Sequence, residues 1–192
     1  MLKSPPPLET DLRLIIDKEG FMELSVQDLV IASGVPVSFN INYPSPVGYE
    51  NALQATNFSP LRTITENTCF GCGARPDGMQ LYSDILNSYK PDKIVASKVE
   101  ITDEFVDDSG NIKNKIFWTS LDCPGAHAYM FFDPFPFVVL GRMAVHKLKP
   151  THSNQEYYVV AWQIAEKEKR KYYTSTALHS ADDELYAFTK QT

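Results

Sequence analysis

The chain has 192 residues and a mass of 21.7 kDa, a length that favours one domain with a single large core. Lys and Arg number 18 against 24 Asp and Glu, so the formal net charge is -6 and the pI is about 5.2. This acidic balance argues against a nucleic-acid-binding protein, and an aromatic content of 12% argues against a disordered one.

The patterns that direct a chain to the membrane or the secretory route are missing from this sequence. Its first residues carry three prolines followed by charges, and its longest apolar stretch, 126–139, is interrupted by a histidine, an aspartate and two prolines. Three cysteines, an odd number, do not form a disulfide framework in a chain of this size. We therefore expect a cytoplasmic protein with reduced thiols and with no membrane or nucleic-acid partner.

Residues 1–68 form the less regular part of the chain. The segments 12–16 and 21–24 predict a short hairpin. Residues 35–43 alternate apolar and polar side chains like a half-buried strand, and 51–58 is a candidate partner strand. We therefore predict an N-terminal extension of short strands that packs on the main domain.

From residue 69 onward the hydrophobic periodicity is clearer. Residues 94–101 alternate as a strand. Residues 117–132 are apolar around nearly the whole helical circumference, which predicts one helix that is buried on most sides. This helix should end before Asp133-Pro134, because proline disfavours helix in the residue before it. The period then becomes two, and four strands follow, at 138–149, 157–166, 172–179 and 184–189.

These elements predict an α+β fold in which a strongly curved antiparallel sheet wraps around one central helix. Short polar loops between the last four strands predict a sequential antiparallel meander. The helix covers only one face of such a sheet, while several strands carry apolar side chains on both faces. We therefore expect the second face to be covered by another copy of the chain, in a homodimer or a larger homo-oligomer.

Three places in the sequence resemble the hotdog fold, in which a helix lies inside a curled sheet. One is the strand and hairpin spacing of Gly141-Arg142-Met143, Lys169-Arg170-Lys171 and Ala177-Leu178. CFGCGARPDGMQLY, residues 69–82, is similar to the entry into the first hotdog strand, and WTSLDCPGAHA, residues 118–128, resembles the central helix of thioesterase-like proteins with a Leu-Asp-Cys-Pro-Gly element. The resemblance covers residues 69–192 and implies a hotdog domain there, preceded by the extension 1–68. It also implies an acyl-CoA-like thioester as the ligand, with coenzyme A as part of the substrate and no separate cofactor.

Asp122 is the candidate catalytic residue. In one large branch of hotdog thioesterases, a carboxylate on the central helix is the nucleophile or general base, and Asp122 occupies the matching place. We expect amides at a helix start near Leu121 to Cys123 to hold the thioester oxyanion, and Trp118, Leu121 and Cys123 to contact the substrate.

Two observations favour other roles for this helix. The His-Gly-Gly turn of that branch is replaced here by Lys113-Asn114-Lys115, which lacks the glycines that allow close backbone approach. Asp122 followed by Pro124 is also typical of a helix N-cap. The alternative function is therefore a non-catalytic module that binds an acyl or hydrophobic ligand, or that mediates assembly, on a hotdog scaffold.

Cys69-x-x-Cys72 and Cys123-x-x-x-His127 have the residue types and spacings of a structural zinc site. Burial of small thiols explains the same residues without a metal, and this is the interpretation that we favour. The sequence leaves open whether the four residues meet in space.

Arg142 and His146 occupy even positions of one predicted strand and therefore share a face. With the lysines around them they are the main basic group of the chain, suited to charge-assisted hydrogen bonds with the phosphates of coenzyme A. Solvation of a charged hairpin is the alternative.

Aromatic side chains crowd the helix and its exit, where they predict core packing and a lining for an acyl tunnel: Phe117, Trp118, Phe131, Phe132, Phe135 and Phe137.

Overall fold

The computed structural model describes residues 1–87, 93–132 and 138–192. In these ranges the elements are, in chain order, β1 (Arg13–Ile16), β2 (Met22–Val26), β3 (Leu29–Gly34), α1 (Tyr49–Phe58), β4 (Asp84–Ile85), β5 (Val95–Val99), α2 (Asn114–Met130), β6 (Met143–Lys147), β7 (Tyr157–Glu168), β8 (Lys171–Ser180) and β9 (Leu185–Gln191). Short 3-10 turns occur at Pro60–Thr63 and Asp103–Phe105. Phe135 and Phe137 lie outside the described residues.

The main sheet has six antiparallel strands in the order β4-β5-β7-β8-β9-β6. The helix α2 packs across one face of this sheet, where Leu121 meets the odd-numbered residues Tyr157 and Val159 of β7 in the larger core cluster. The predicted α+β arrangement, an antiparallel sheet with a central helix, is confirmed.

One step of the predicted meander is wrong. β7, β8 and β9 follow one another as expected, but β6 pairs with β9 at the far edge of the sheet instead of with β7. The connection 148–156 is therefore a crossover and not a hairpin loop. It is held by the loop before α2, because Ile112 N–H donates to the Thr151 carbonyl at 3.0 Å and Ser153 N–H donates to the Gly110 carbonyl at 3.1 Å.

The central helix begins earlier than the apolar pattern predicts. α2 starts at Asn114, and the carbonyl of Lys113 accepts hydrogen bonds from the N–H groups of Ile116 and Phe117 at 2.9 and 3.0 Å. Pro124 therefore lies inside the helix, where proline cannot donate the usual backbone hydrogen bond. The exposed polar residues Asn114 and Lys115 conceal this start in a search for apolar residues.

The second face of the sheet is covered by the same chain. α1 packs on β5 and β7, and its Ala52 and Ala55 belong to a second core cluster with the even-numbered residues Tyr158 and Val160 of β7. The predicted strands at 35–43 and 51–58 are wrong: 51–58 is helical, and 35–43 contains no strand, although two of its side chains join this cluster. The expectation that another copy covers this face loses its basis.

The N-terminal extension contains a separate three-stranded sheet in the order β1-β2-β3. The predicted hairpin is confirmed in β1 and β2, and its turn is held by Asp17, whose Oδ1 accepts the N–H groups of Glu19 and Phe21 at 2.8 and 2.9 Å. Leu2 N–H donates to the Gly141 carbonyl at 2.9 Å, which joins the extension to the segment before β6.

Candidate active site and thiol cluster on the central helix

One side of α2 is not covered by the rest of the described chain. Trp118 is 45% exposed and Met130 is 38% exposed, while Asp122 and Ala126 lie between them with partial exposure. These four residues follow one another at intervals of four, so they form one stripe along the helix. We call this set the α2 stripe. Of the predicted site residues, Trp118 and Asp122 lie on it.

Asp122 is not the N-cap of α2, because the cap position is Lys113 and Asp122 lies in the middle of the helix. Among the described residues, no group donates a hydrogen bond to its carboxylate. Burial raises the pKa of the Asp122 carboxyl, negative charge on the nearby Cys72 raises it further, and His127 opposes both effects. A half-buried carboxylate with a raised pKa and open oxygens is suited to accept a proton or attack an electrophile.

The expected oxyanion donors at Leu121 to Cys123 are wrong. These N–H groups lie in the interior of α2, where the α-helical pattern already uses them. The helix start is at Asn114, and the N–H groups of Asn114 and Lys115 have no acceptor among the described residues. The free amide donors of this helix are therefore at the Lys113-Asn114-Lys115 segment that replaces the His-Gly-Gly turn.

The predicted substrate contacts do not meet at one place. The side chain of Leu121 is fully buried in the core cluster, and its carbonyl accepts hydrogen bonds from Thr176 Oγ1 at 3.0 Å and Gln191 Nε2. His146 lies against Phe39 and Phe188 on the face that α1 covers, away from α2.

Arg142 is exposed at the edge of the sheet, where its backbone pairs with Thr192. The basic residue that does reach α2 is Lys147, whose Nζ lies 4.5 Å from the ring centroid of Phe117. The alternation of β6 accounts for this, since Lys147 shares its parity with Met143 and Val145, which pack on the α2 side. The contacts of Arg142 and His146 with a ligand stay predictions.

The Cys-Phe-Gly-Cys-Gly segment lies directly against α2, next to Asp122. A Cβ on Gly71 would be 2.6 Å from Cys123 Sγ and 3.2 Å from Thr119 Cγ2, so only glycine permits this approach. The turn is closed by Gly73 N–H, which donates to the Cys69 carbonyl at 2.8 Å, and by Asn67, which accepts the Cys69 N–H at 3.0 Å through Oδ1.

The three cysteine sulfurs meet on this side of the helix. Cys69 Sγ lies 3.8 Å from Cys123 Sγ, and all three Sγ atoms, including that of Cys72, lie within 4.8 Å of one another. Hydrogen bonding with Cys123 lowers the pKa of Cys69 and of Cys72, and the same interactions raise the pKa of Cys123. We call Cys69, Cys72 and Cys123 the thiol cluster.

His127 stands beside this cluster and is only 2% exposed. It contacts Cys72, whose thiol pKa it also lowers, and its Nδ1 lies 3.0 Å from the hydroxyl of Ser83. The spacing of the cysteines and His127 was the signal for this meeting point. Ser83 and Asn67 were missed, because a serine or an asparagine that orients a neighbour carries no motif of its own.

Comparison with solved structures identifies the fold. Zebra fish thioesterase superfamily member 2 superposes with a TM-score of 0.53 at 14% identity, over 68% of this chain and 89% of the other. Another thioesterase superfamily protein gives a TM-score of 0.53 at 13% identity, over 62% of this chain and 55% of the other. The chain therefore has the hotdog fold seen in thioesterase-superfamily proteins, which is the fold that the resemblance implied.

Sequence comparison adds no closer relative. No protein-family model matches the chain, and no match is found among curated proteins. The described helices also include none that is long and apolar enough to cross a membrane.

Proposed function

We propose that this protein binds an acyl-CoA-like thioester along the α2 stripe and hydrolyses it, with Asp122 as the general base or nucleophile. The observation that carries the proposal is the position of the Asp122 carboxylate, half-buried on the central helix of a hotdog fold, with a raised pKa and no donor among the described residues. The two superposed thioesterase-superfamily proteins support the fold on which this chemistry is built.

Trp118 and Lys147 supply parts of the site that such a reaction needs. Trp118, one turn before Asp122 on the stripe, offers a large exposed apolar surface for an acyl chain. Lys147 of β6, whose Nζ lies near Phe117 in the first turn of α2, is a candidate partner for a phosphate of the ligand. The free N–H groups of Asn114 and Lys115 lie at the positive end of the helix dipole, about 10 Å along the axis from Asp122, so within one chain they do not reach the carbonyl that Asp122 would attack.

Hydrolysis of a panel of acyl-CoAs by the wild type and by Asp122→Asn tests the proposal. We expect Asp122→Asn to lower kcat by roughly 10²–10⁴-fold, the usual range for loss of a general base. Free acid should be measured by chromatography, because thiol reagents for coenzyme A would also react with the three cysteines of the protein.

Asp108→Asn is the matched control, because Asp108 is exposed in the turn before α2. Equal activity in the wild type and Asp122→Asn would remove Asp122 from the chemistry. Coenzyme A binding by calorimetry without turnover of any substrate would favour the non-catalytic binding module. The lack of glycines at Lys113-Asn114-Lys115 is the observation that keeps this second function in view.

A further inference from the structure

We propose that Cys69, Cys72 and Cys123 bind a zinc ion that fastens the Cys-Phe-Gly-Cys-Gly turn to the central helix. The proposal concerns residues beside Asp122 but does not depend on thioester hydrolysis, since it is a statement about metal binding. It also departs from the sequence-based expectation of no metal, because the fold brings Cys123 to the Cys69-x-x-Cys72 pair, which lies far from it in the sequence.

The geometry of the thiol cluster fits a tetrahedral ion. With zinc–sulfur bonds of about 2.3 Å, two sulfurs in a tetrahedral site lie about 3.8 Å apart. The Sγ atoms of Cys69 and Cys123 are separated by 3.8 Å, and no pair in the cluster exceeds 4.8 Å. Closing the remaining sulfur positions onto an ion therefore needs movements on the order of 1 Å, which rotation of a cysteine side chain supplies.

Asn67 holds the turn that presents Cys69 and Cys72 to the helix. Its Oδ1 accepts the N–H of Cys69 at 3.0 Å, and its Nδ2 lies 3.7 Å from the sulfur of Cys72. Three thiolates, being soft ligands, select zinc over magnesium or calcium.

His127 is the residue best placed to complete the coordination. It lies one helical turn after Cys123 on α2, next to Cys72, and its ring nitrogens lie more than 4.8 Å from at least one of the three sulfurs, so ligation by His127 requires a movement of its side chain. Its Nδ1 is 3.0 Å from the hydroxyl of Ser83, whose side chain is fully buried. A histidine ligand commonly uses its second ring nitrogen in this way, and the contact fixes the orientation of the ring.

A disulfide between Cys69 and Cys123 is the competing use of the same sulfurs. Such a disulfide would leave Cys72 unpaired, and it would not involve His127. A metal uses all three cysteines and the histidine together. Binding of zinc would release the remaining thiol protons to solvent, so the affinity should rise with pH.

The zinc content of the full-length protein tests the proposal directly. Protein produced in zinc-supplemented medium and purified under reducing conditions without chelator should contain close to one zinc per chain by mass spectrometry. Cys69→Ser and Cys123→Ser should each lower the content to about a tenth or less. Thr119→Ser is the matched control. Thr119 lies on α2 beside Gly71, one helical turn before Cys123, but it is not one of the proposed ligands, so its variant should keep the metal.

Cobalt(II) gives a second readout that is independent of activity. Added to metal-free wild-type protein, it should produce a thiolate-to-metal charge-transfer band and the intense visible bands of a tetrahedral site. Cys69→Ser should lose the charge-transfer intensity while its circular dichroism stays that of the wild type, because Cys69 is exposed and its replacement leaves the core intact.

Three results would overturn the proposal. The first is folded wild-type protein that holds neither zinc nor cobalt, and the second is equal metal content in the wild type and Cys69→Ser. The third is a Cys69–Cys123 disulfide in peptides from protein kept reduced.

For the fourth ligand, His127→Gln should weaken zinc binding by roughly 10-fold or more, whereas His146→Gln should not. Equal affinities of the wild type and His127→Gln for zinc would overturn the assignment of His127.

Discussion

His179 is a buried histidine whose surroundings oppose its charged form. It is 1% exposed, its ring stacks on Tyr158 with centroids 5.1 Å apart, and its Nδ1 has no hydrogen-bond partner among the described residues. Burial lowers the pKa of His179 to about 4, against a smaller opposing effect of the Asp183 carboxylate. The Asp183 carboxylate already accepts a hydrogen bond from the hydroxyl of Tyr158, the residue that stacks on His179.

We expect the stability of the protein to fall as the pH drops from about 6.5 to about 4. In this window the unfolded chain binds a proton at His179 that the folded chain does not, so protonation favours unfolding. The free energy of unfolding should fall by up to about 3 kcal/mol in the wild type. His179→Phe, which keeps a ring against Tyr158, should flatten this dependence in urea unfolding series.

His146→Phe is the matched control for this experiment, because His146 is exposed on β6. It should keep the wild-type dependence on pH. An unchanged slope in His179→Phe would mean that another group carries the pH dependence.

The role of a single residue could be predicted where a short spacing along the chain brings it near its partner. It could not be predicted where the role depends on the conformation of the surrounding backbone. The spacings within Cys69–Cys72 and Cys123–His127 named the candidate residues, because a turn and a helical turn each set a distance within a pair, but they left open whether the two pairs meet in space. Pro124 did not decide whether Asp122 is a helix N-cap. A proline inside a helix cannot be distinguished in the sequence from a proline in the first turn of a helix.

At the level of elements, the contact between α2 and the sheet depends on Gly125. A Cβ at this position would be 2.0 Å from Gln191 Oε1 and 3.0 Å from Thr174 Oγ1. Gln191 is 3% exposed, and its Nε2 donates to the Leu121 carbonyl and to Thr189 Oγ1. The side chain of Gln191 therefore cannot move away without giving up these hydrogen bonds.

Gly125→Ala should destabilise the protein by about 1–3 kcal/mol, the usual cost of overpacking a core. Helix propensity alone predicts the opposite, a gain of up to about 1 kcal/mol for alanine over glycine. The free energy of unfolding in urea decides between the two. In a Gln191→Ala background the clash is relieved, so Gly125→Ala should cost markedly less there. A stabilised single variant would show that α2 does not lie as close to β9 as described.

The elements that the sequence predicted are those with a strong apolar period. β5, β7, β8 and β9 were found within a few residues of their predicted ends. α1 was mistaken for a strand because its buried residues, Ala52, Ala55 and Thr56, are small and give little apolar contrast. The partner of β6 could not be predicted, because a loop of hairpin length also suffices for a crossover to the far edge.

The whole molecule is built as three layers from one chain, with α2 on one face of the main sheet and α1 on the other. Each helix has its own core cluster, and β7 contributes to both through the alternation of its side chains. A partner is therefore not needed to bury the sheet. The large apolar surface that remains on the central helix is the α2 stripe, with Trp118 and Met130 exposed.

We accordingly place the expected homo-oligomer contact on the α2 stripe, where a second copy would also enclose a ligand beside Asp122. The wild type should run as a dimer in size-exclusion chromatography with light scattering at micromolar concentrations. Trp118→Arg should give a monomer with unchanged circular dichroism, because Trp118 is 45% exposed and its loss removes contact area without opening the core. Phe58→Arg is the matched control: Phe58 is 80% exposed at the end of α1, away from the stripe, and its variant should stay dimeric. A monomeric wild type, or a dimer that survives Trp118→Arg, would rule out the stripe as the interface.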